Sequence, residues 1–102
     1  MSVPLAETYE VTAYSVGDDF TPSHGITASG ARVREGLTAA CPPEIPFGTR
    51  VHIAGVGERV CLDRGGAIKG RRLDVYIADR SEALRFGRRK LEVEIIERGT
   101  IE

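Results

Sequence analysis

Two aspartates flank the most unusual local sequence of this chain. Asp63 and Asp74 stand at the ends of a glycine-rich turn whose centre, residues 65–70, reads Gly-Gly-Ala-Ile-Lys-Gly. If the strands that enter and leave this turn lie side by side, the two carboxylates share one groove, where mutual repulsion raises the pKa of one of them towards the range of a general acid. The same spacing fits a structural pair, in which Asp63 caps the turn and Asp74 forms an ion pair with a neighbouring arginine. Spacing alone leaves both interpretations open.

The cysteines and histidines suggest less chemistry. His24, Cys41, His52 and Cys61 show none of the paired-ligand spacing of structural zinc sites, so neither a metal nor a cofactor is predicted. Two cysteines are too few for a disulfide scaffold and too far apart in sequence for a redox pair. They are either two buried thiols or a single bridge. His52 alternates with apolar neighbours, which predicts an outward-facing position.

In five segments apolar residues recur at every second position, which is the period of a half-buried strand. The segments are Tyr9, Val11 and Ala13; Val51 and Ile53; Val60 and Leu62; Leu73, Val75 and Ile77; and Leu91, Val93 and Ile95. Residues 37–41 add a sixth strand, and Gly-Val-Gly at 55–57 predicts a hairpin turn between two of the strands. Around Asp74 the odd positions are apolar, so Asp74 shares the opposite face with Arg72 and Tyr76 and is expected to be displayed outside the core.

One segment departs from the strand pattern. Ser81–Gly87 starts with an N-cap residue, continues with good helix formers and ends in glycine, which predicts one short helix. Residues 15–30 are rich in Gly, Ser, Thr and Asp without a sustained period, and they indicate a long loop of the kind that carries function on a rigid scaffold. Six strands, long crossovers and a single helix predict an all-β closed barrel.

Composition narrows the class of function. The chain has 102 residues, and its 14 basic and 15 acidic residues leave a net charge of −1. Without an excess of positive charge, or basic runs interleaved with aromatic residues, nucleic-acid binding is not expected. No stretch approaches the roughly 20 apolar residues of a membrane span, and the N-terminus shows no secretion signal. The expectation is one soluble domain over residues 1–102, which either has lost a leader or reaches its site without one, as a phage lysin or virion component does.

Five blocks of sequence follow one another in a fixed order. They are residues 11–14 (Val-Thr-Ala-Tyr), 25–30 (Gly-Ile-Thr-Ala-Ser-Gly), 45–51 (Ile-Pro-Phe-Gly-Thr-Arg-Val), 63–74, and 82–89 (Glu-Ala-Leu-Arg-Phe-Gly-Arg-Arg). Together they resemble the signature of the three-aspartate (3D) domain family, which includes the catalytic barrel of membrane-bound lytic transglycosylase A and the stationary-phase survival muralytic proteins. The resemblance covers residues 9–96, and its most specific part is the glycine turn with an aspartate on either side. It implies a six-stranded double-psi β-barrel with one short helix, in agreement with the strand pattern.

The resemblance also implies an activity. It is that of a lytic transglycosylase, which cleaves the bond between N-acetylmuramic acid (MurNAc) and N-acetylglucosamine (GlcNAc) in peptidoglycan and leaves 1,6-anhydroMurNAc ends. Asp63 and Asp74 match the family's second and third aspartates, and the third is its catalytic acid, so both are expected to be catalytic with Asp74 as the acid. Residues expected to bind substrate are Thr12, Tyr14, Thr27, Ser29 and Lys69. For each of these, a local structural or solvated role is the alternative.

The chain departs from the family at one position. The family's first aspartate precedes a proline, and here that place in the groove is taken by Cys41, followed by Pro42. Cys61 lies two residues before Asp63, so alternation puts them on one strand face, and Cys41 and Cys61 are expected to lie close enough for a disulfide. If a further carboxylate takes part in catalysis, Glu44, which lies next to the position of the missing aspartate, is the first candidate.

Two other functions stay open. A barrel that has lost one aspartate could grip glycan without cutting it, as a non-catalytic, expansin-like wall-binding module. The fold could also serve as a structural barrel in a phage tail or baseplate. For the enzyme and the binding module, the expected partner is the peptidoglycan glycan strand, and the expected place of action is the cell wall, whether extracellular, periplasmic or reached by phage delivery.

Overall fold

The computed structural model describes residues 6–15 and 25–99, which form six strands and one short helix. In chain order these elements are β1 (Glu7–Tyr14), β2 (Thr38–Ala40), β3 (Arg50–Ile53), β4 (Gly57–Asp63), β5 (Arg72–Tyr76), α1 (Arg80–Phe86) and β6 (Arg89–Glu97). The hairpin predicted at 55–57 joins β3 to β4, where Val56 N donates to the Ile53 carbonyl at 2.9 Å. Among the described residues, no helix has the length and apolar character needed to cross a membrane.

The strands close into a barrel in the order β1-β5-β2-β4-β3-β6. Two neighbouring pairs are parallel, β1 with β5 and β2 with β4, and the remaining neighbours are antiparallel. Each parallel pair needs a long crossover, because parallel neighbours cannot be joined by a tight turn. The prediction of an all-β, six-stranded double-psi barrel with one short helix is confirmed.

The inward faces of the strands fill the barrel with apolar side chains. The buried set is Tyr9, Val11, Ala39, Cys41, Ile45, Val51, Ile53, Cys61, Leu73, Val75 and Val93. Within it Cys41 and Cys61 are joined by a disulfide, with their Cα atoms 5.6 Å apart. Both cysteines are fully buried, so the bridge fastens the end of β2 to the middle of β4 inside the barrel.

The regular alternation of side chains between the inside and the outside of the barrel is interrupted part of the way along β4. Simple alternation predicts that Cys61 and Asp63 share a face, and this prediction is wrong. Ala39 pairs with Cys61 and Ala40 pairs with Asp63, so two residues of β2 oppose three of β4 and Leu62 is the extra residue of a β-bulge. The bulge leaves Cys61 in the core beside Ala39 and turns Asp63 to the outer face that Ala40 occupies.

The strands on either side of the glycine turn are not neighbours. β2 lies between β4 and β5, so the side-by-side arrangement considered from the sequence does not occur. The two aspartates nevertheless come to one surface, because both pair with the same residue of β2: Ala40 lies opposite Asp63 on one side and opposite Asp74 on the other.

The helix and its N-cap lie two residues earlier than the sequence indicates. Its N-cap is Asp79, whose Oδ1 accepts hydrogen bonds from Ser81 N at 2.7 Å and Glu82 N at 3.2 Å. The assignment of the cap to the start of Ser81–Gly87 is therefore wrong, since an aspartate two residues upstream satisfies the free N–H groups of the first turn. Gly87 ends the helix with φ at 67°, as its glycine predicts.

Candidate active site

A row of four outward residues crosses the barrel wall. Thr12 on β1 pairs with Asp74 on β5, Asp74 pairs with Ala40 on β2, and Ala40 pairs with Asp63 on β4. Residues opposite one another in register point to the same side of a sheet, so the two carboxylates flank a single methyl group. Their backbones are two strand spacings apart, roughly 10 Å, which leaves an open space above Ala40.

That space is a pocket with a volume of about 300 Å³. Its lining residues are Tyr14, Ile26, Ala40, Asp63, Arg64, Gly65 and Asp74. Ala40 is 3% exposed and contributes only a methyl group, so it forms a low floor between the two carboxylates. A larger side chain at this position would fill the space in which both carboxylates can reach a common ligand.

Asp74 lies in a largely desolvated position. Burial raises the pKa of its carboxyl group, and the negative charge of Asp63 adds to this rise, while a hydrogen bond from Thr12 and the positive charge of Arg72 act in the opposite direction. The Thr12 hydroxyl donates to Asp74 Oδ1 at 3.0 Å. Within residues 6–15 and 25–99 Asp74 has no ion pair, because Arg72 Nε instead faces Glu10 at 3.7 Å. Asp74 therefore does not form the ion pair with a neighbouring arginine that the sequence left open.

Asp63 is held by three hydrogen-bond donors. Its Oδ1 accepts from Ala28 N at 2.8 Å and Arg64 N at 2.9 Å, and its Oδ2 accepts from the Tyr14 hydroxyl at 3.0 Å. An ionised carboxylate is an acceptor at both oxygens and fits this set of donors. Burial, followed by the charge of Asp63, raises the pKa of Tyr14, so its hydroxyl keeps the proton that it donates. The Arg64 contact is also the turn cap suggested by the sequence.

The two carboxylates therefore differ in environment. Asp63 is fixed by three donors, whereas Asp74 is desolvated and receives one hydroxyl hydrogen bond. Enzymes use such differences in environment to give two carboxyl groups different roles, so that one holds a proton and donates it as an acid. The pocket can offer a proton from Asp74 and the firmly held carboxyl oxygens of Asp63 to the same ligand.

Of the residues expected to bind substrate, Tyr14 lines the pocket and Thr12 reaches it through Asp74. Thr27 and Ser29 do not line it: their hydroxyls lie 2.9 Å apart, and Thr27 also donates to the Ala31 carbonyl at 2.9 Å. These bonds shape the loop that presents Ala28 N to Asp63. Lys69 is exposed in the turn and outside the pocket lining. Residues 16–24 of the predicted functional loop, with His24, lie outside the described residues.

Four residues of the lining were not predicted as site residues: Ile26, Ala40, Arg64 and Gly65. Ala40 is identified only by strand register, which the sequence does not display. Gly65 is glycine because a Cβ there would come within 2.8 Å of Ile68 Cγ1. Arg64 directly follows Asp63, and a charged side chain next to a catalytic candidate is the one sequence signal that could have marked it.

Cys41 and Glu44 stand apart from the pocket. Cys41 is fully buried in its disulfide and does not face the groove, so the expectation that it takes a groove position is wrong. Glu44 is exposed and does not line the pocket, and His52 is exposed, as its alternation predicts. Among the described residues, no three His, Cys, Asp or Glu side chains come together in a group that could hold a metal ion.

The 3D domain family model matches residues 38–97. Two proteins of Bacillus subtilis (strain 168) are similar over 93 residues, or 87% of this chain: the cell wall-binding protein YocH, at 33% identity, and the putative cell wall shaping protein YabE, at 32%. The chain spans 32% of the length of YocH and 22% of that of YabE. What these names describe thus belongs to much longer proteins.

Two solved structures of MltA from Escherichia coli share the fold. They superpose with TM-scores of 0.60 and 0.61 at 24% identity, and they cover 80% and 81% of this chain. The matched part amounts to 29% and 30% of the MltA chains, one of which is described as a unique lytic transglycosylase fold. At this identity the likeness concerns the barrel itself.

Proposed function

The chain belongs to the 3D domain family, and from this premise we propose that it is a peptidoglycan lytic transglycosylase acting at the cell wall. The observation that carries the proposal is the pocket in which a desolvated Asp74 and a fully hydrogen-bonded Asp63 face each other across Ala40. The names of the two similar B. subtilis proteins support the cell wall as the place of action. The bond cleaved would be that between MurNAc and GlcNAc.

Asp74 serves as the acid. Its raised pKa keeps a proton available at pH values where an ordinary aspartate has lost it, and this proton passes to the glycosidic oxygen as the bond to MurNAc C1 breaks. Asp63 holds a negative charge close to the positive charge that develops on the sugar ring. The 6-hydroxyl of the same MurNAc then attacks C1 and returns its proton to Asp74, so no water is consumed.

Intramolecular attack suits this pocket better than hydrolysis. Hydrolytic glycosidases use a second carboxylate as nucleophile or as the base that activates a water. Asp63 is the second carboxylate in the lining, and both of its oxygens already accept hydrogen bonds from the protein. A tethered 6-hydroxyl has a high effective concentration without such a base.

The product ends test the proposal. Incubation with purified sacculi is expected to release muropeptides with 1,6-anhydroMurNAc ends, because the attacking oxygen belongs to the substrate. Such ends weigh one water less than hydrolysed ends and resist borohydride reduction, so mass spectrometry of treated and untreated digests identifies them. Reducible MurNAc ends would indicate a hydrolase and would direct attention to Glu44, and reducible GlcNAc ends would indicate that a different bond is cut.

Removal of the Asp63 charge is expected to shift the pH dependence. Activity needs protonated Asp74 and falls as pH rises through its pKa. Asp63→Asn removes one cause of the raised pKa of Asp74, so this basic limb should move to lower pH and much of the activity should be lost. The limb should move only part of the way, because burial is the larger cause and remains.

The pH profile of muropeptide release measures this shift. Tyr14→Phe is the matched control, because it removes a hydrogen bond to Asp63 but leaves the charge of Asp63 in place. A basic limb that stays at the same pH in Asp63→Asn would mean that the two carboxylates are not coupled.

One observation favours a second function. YocH, 33% identical over the matched region, is named a cell wall-binding protein. A wall-binding module would use the same pocket to hold glycan without cleavage. Retention on sacculi with no soluble product over a broad pH range would support binding alone, and anhydro products would support the enzyme.

A further inference from the structure

Arg64 lines a pocket that also carries two carboxylates. Its guanidinium lies over the ring of Phe47, with Cζ 4.1 Å from the ring centroid. Nη1 donates to the carbonyls of Cys41 and Asp63, each at 3.3 Å, and Nη2 donates to the carbonyl of Ile45 at 2.8 Å. The guanidinium is thus held in one orientation against Phe47 and the neighbouring backbone carbonyls.

These contacts orient Arg64 but do not neutralise it. All three acceptors are uncharged carbonyls, and in the part of the chain that the structure describes Arg64 has no ion pair with Asp or Glu. A guanidinium has five N–H donors, more than the three carbonyls use. It presents them in a planar fork that matches a carboxylate. Arg64 therefore combines a place in the pocket lining with a pre-oriented cation that has donors to spare.

We propose that Arg64 binds a carboxylate of the substrate and makes the pocket prefer acidic muramyl glycan over neutral glycan. The inference rests on the proposed function for the class of substrate. MurNAc carries a lactyl carboxylate when its peptide has been removed, and the peptide stem supplies carboxylates when it is present. Both sources offer the same chemistry to Arg64. Neutral oligomers of GlcNAc offer none.

The first experiment uses the unaltered protein, so no variant has to fold. Binding is measured by calorimetry to three glycans of equal length: peptide-free muramyl glycan with free lactyl carboxylates, the same glycan methyl-esterified, and a GlcNAc oligomer. A second pair, muramyl glycan bearing free or esterified peptide stems, distinguishes the two sources of carboxylate. Esterification of the lactyl carboxylates, of the peptide-stem carboxylates or of both is expected to weaken binding about tenfold. This is the loss in affinity expected when a charge-assisted hydrogen-bond pair is removed. Equal binding of acid and ester forms in both pairs would overturn the proposal.

The second experiment assigns the preference to a residue. Arg64→Gln is expected to bind acid and ester forms equally, and Arg64→Lys to keep part of the preference because the charge remains but the planar fork is lost. Arg85→Gln removes the same charge from the exposed surface of α1 and should retain the full preference. If Lys69→Gln, in the neighbouring turn, removes the preference and Arg64→Gln does not, the assignment to Arg64 is overturned.

Success or failure here is separable from the proposed activity. Release of anhydro muropeptides without any carboxylate preference would refute the role of Arg64 and leave the transglycosylase intact. Carboxylate-dependent binding without product release would support Arg64 and refute catalysis. A purely structural role for Arg64 would change stability but would leave the ratio of acid to ester affinity unchanged.

Discussion

Asp74→Asn is expected to lower the release of muropeptides from sacculi by about 100-fold or more, the usual contribution of a positioned general acid. The amide keeps the shape of the side chain and can still accept the Thr12 hydrogen bond, but it cannot deliver a proton to the glycosidic oxygen. Soluble products quantified by mass spectrometry measure the loss. Glu92→Gln, which neutralises an exposed carboxylate on β6, is the matched control and should retain full activity.

The same substitution should leave the fold intact. The folded-state pKa of Asp74 is raised, so between the unfolded-state pKa and the folded-state pKa the native protein binds more protons than the unfolded chain, and stability falls as pH rises through this window. Asparagine does not titrate, so the variant should lack this decline and be no less stable at neutral pH. Thermal melting over a pH series tests this point. Activity within about twofold of the unaltered protein would reject Asp74 as the acid.

Loss of the Cys41–Cys61 bridge is expected to reduce the free energy of unfolding by roughly 3 kcal/mol, as the chain-entropy argument gives for a loop of this size. The bridge spans 20 residues of sequence and lies fully inside the barrel. Its loss should also reach the pocket, because Cys41 N donates to the carbonyl of Asp63 at 3.1 Å. Stability and activity should therefore fall together.

Urea denaturation of the oxidised protein, the reduced protein and a Cys41→Ala/Cys61→Ala double variant measures the loss. The reduced protein keeps both sulfur atoms, so its difference from the double variant isolates the effect of packing from that of the covalent bond. A denaturation midpoint that does not move on reduction would show that the bridge contributes nothing to stability.

The sequence alone predicted those features that depend only on residues close together in the chain. Period-two alternation located strands and placed Asp74 on the outer face of β5, because side-chain direction in a strand depends only on the count of residues. It could not show that β2 lies between β4 and β5, since alternation carries no information about partners. The helix was located by its composition, but its first residue depended on which side chain reaches the free N–H groups, and that was Asp79.

The bulge at Leu62 shows why the pocket was only partly predictable. Counting by two from Cys61 puts Asp63 in the core, and only the pairing of Ala40 with Asp63 reveals the shift. Burial of Asp74 likewise depends on pocket walls from distant segments, among them Tyr14 and Ile26. Both effects arise from tertiary pairing, so they appear only once the strands have been brought together.

The position of β1 has a consequence for how the chain reaches its native state. Residues 38–97 define the family match, but β1 lies outside that segment and completes the barrel between β5 and β6. Thr12 contacts Asp74, 62 residues further along the chain, so the barrel closes only after nearly all of the chain has been synthesised. A segment of residues 38–97 alone would leave β5 and β6 each with an unpaired edge, and the pairing of β1 with β6 joins the two ends of the described chain, which is a non-local contact of the kind that slows folding. A barrel closed on all sides therefore needs residues on the N-terminal side of the segment that the family model matches.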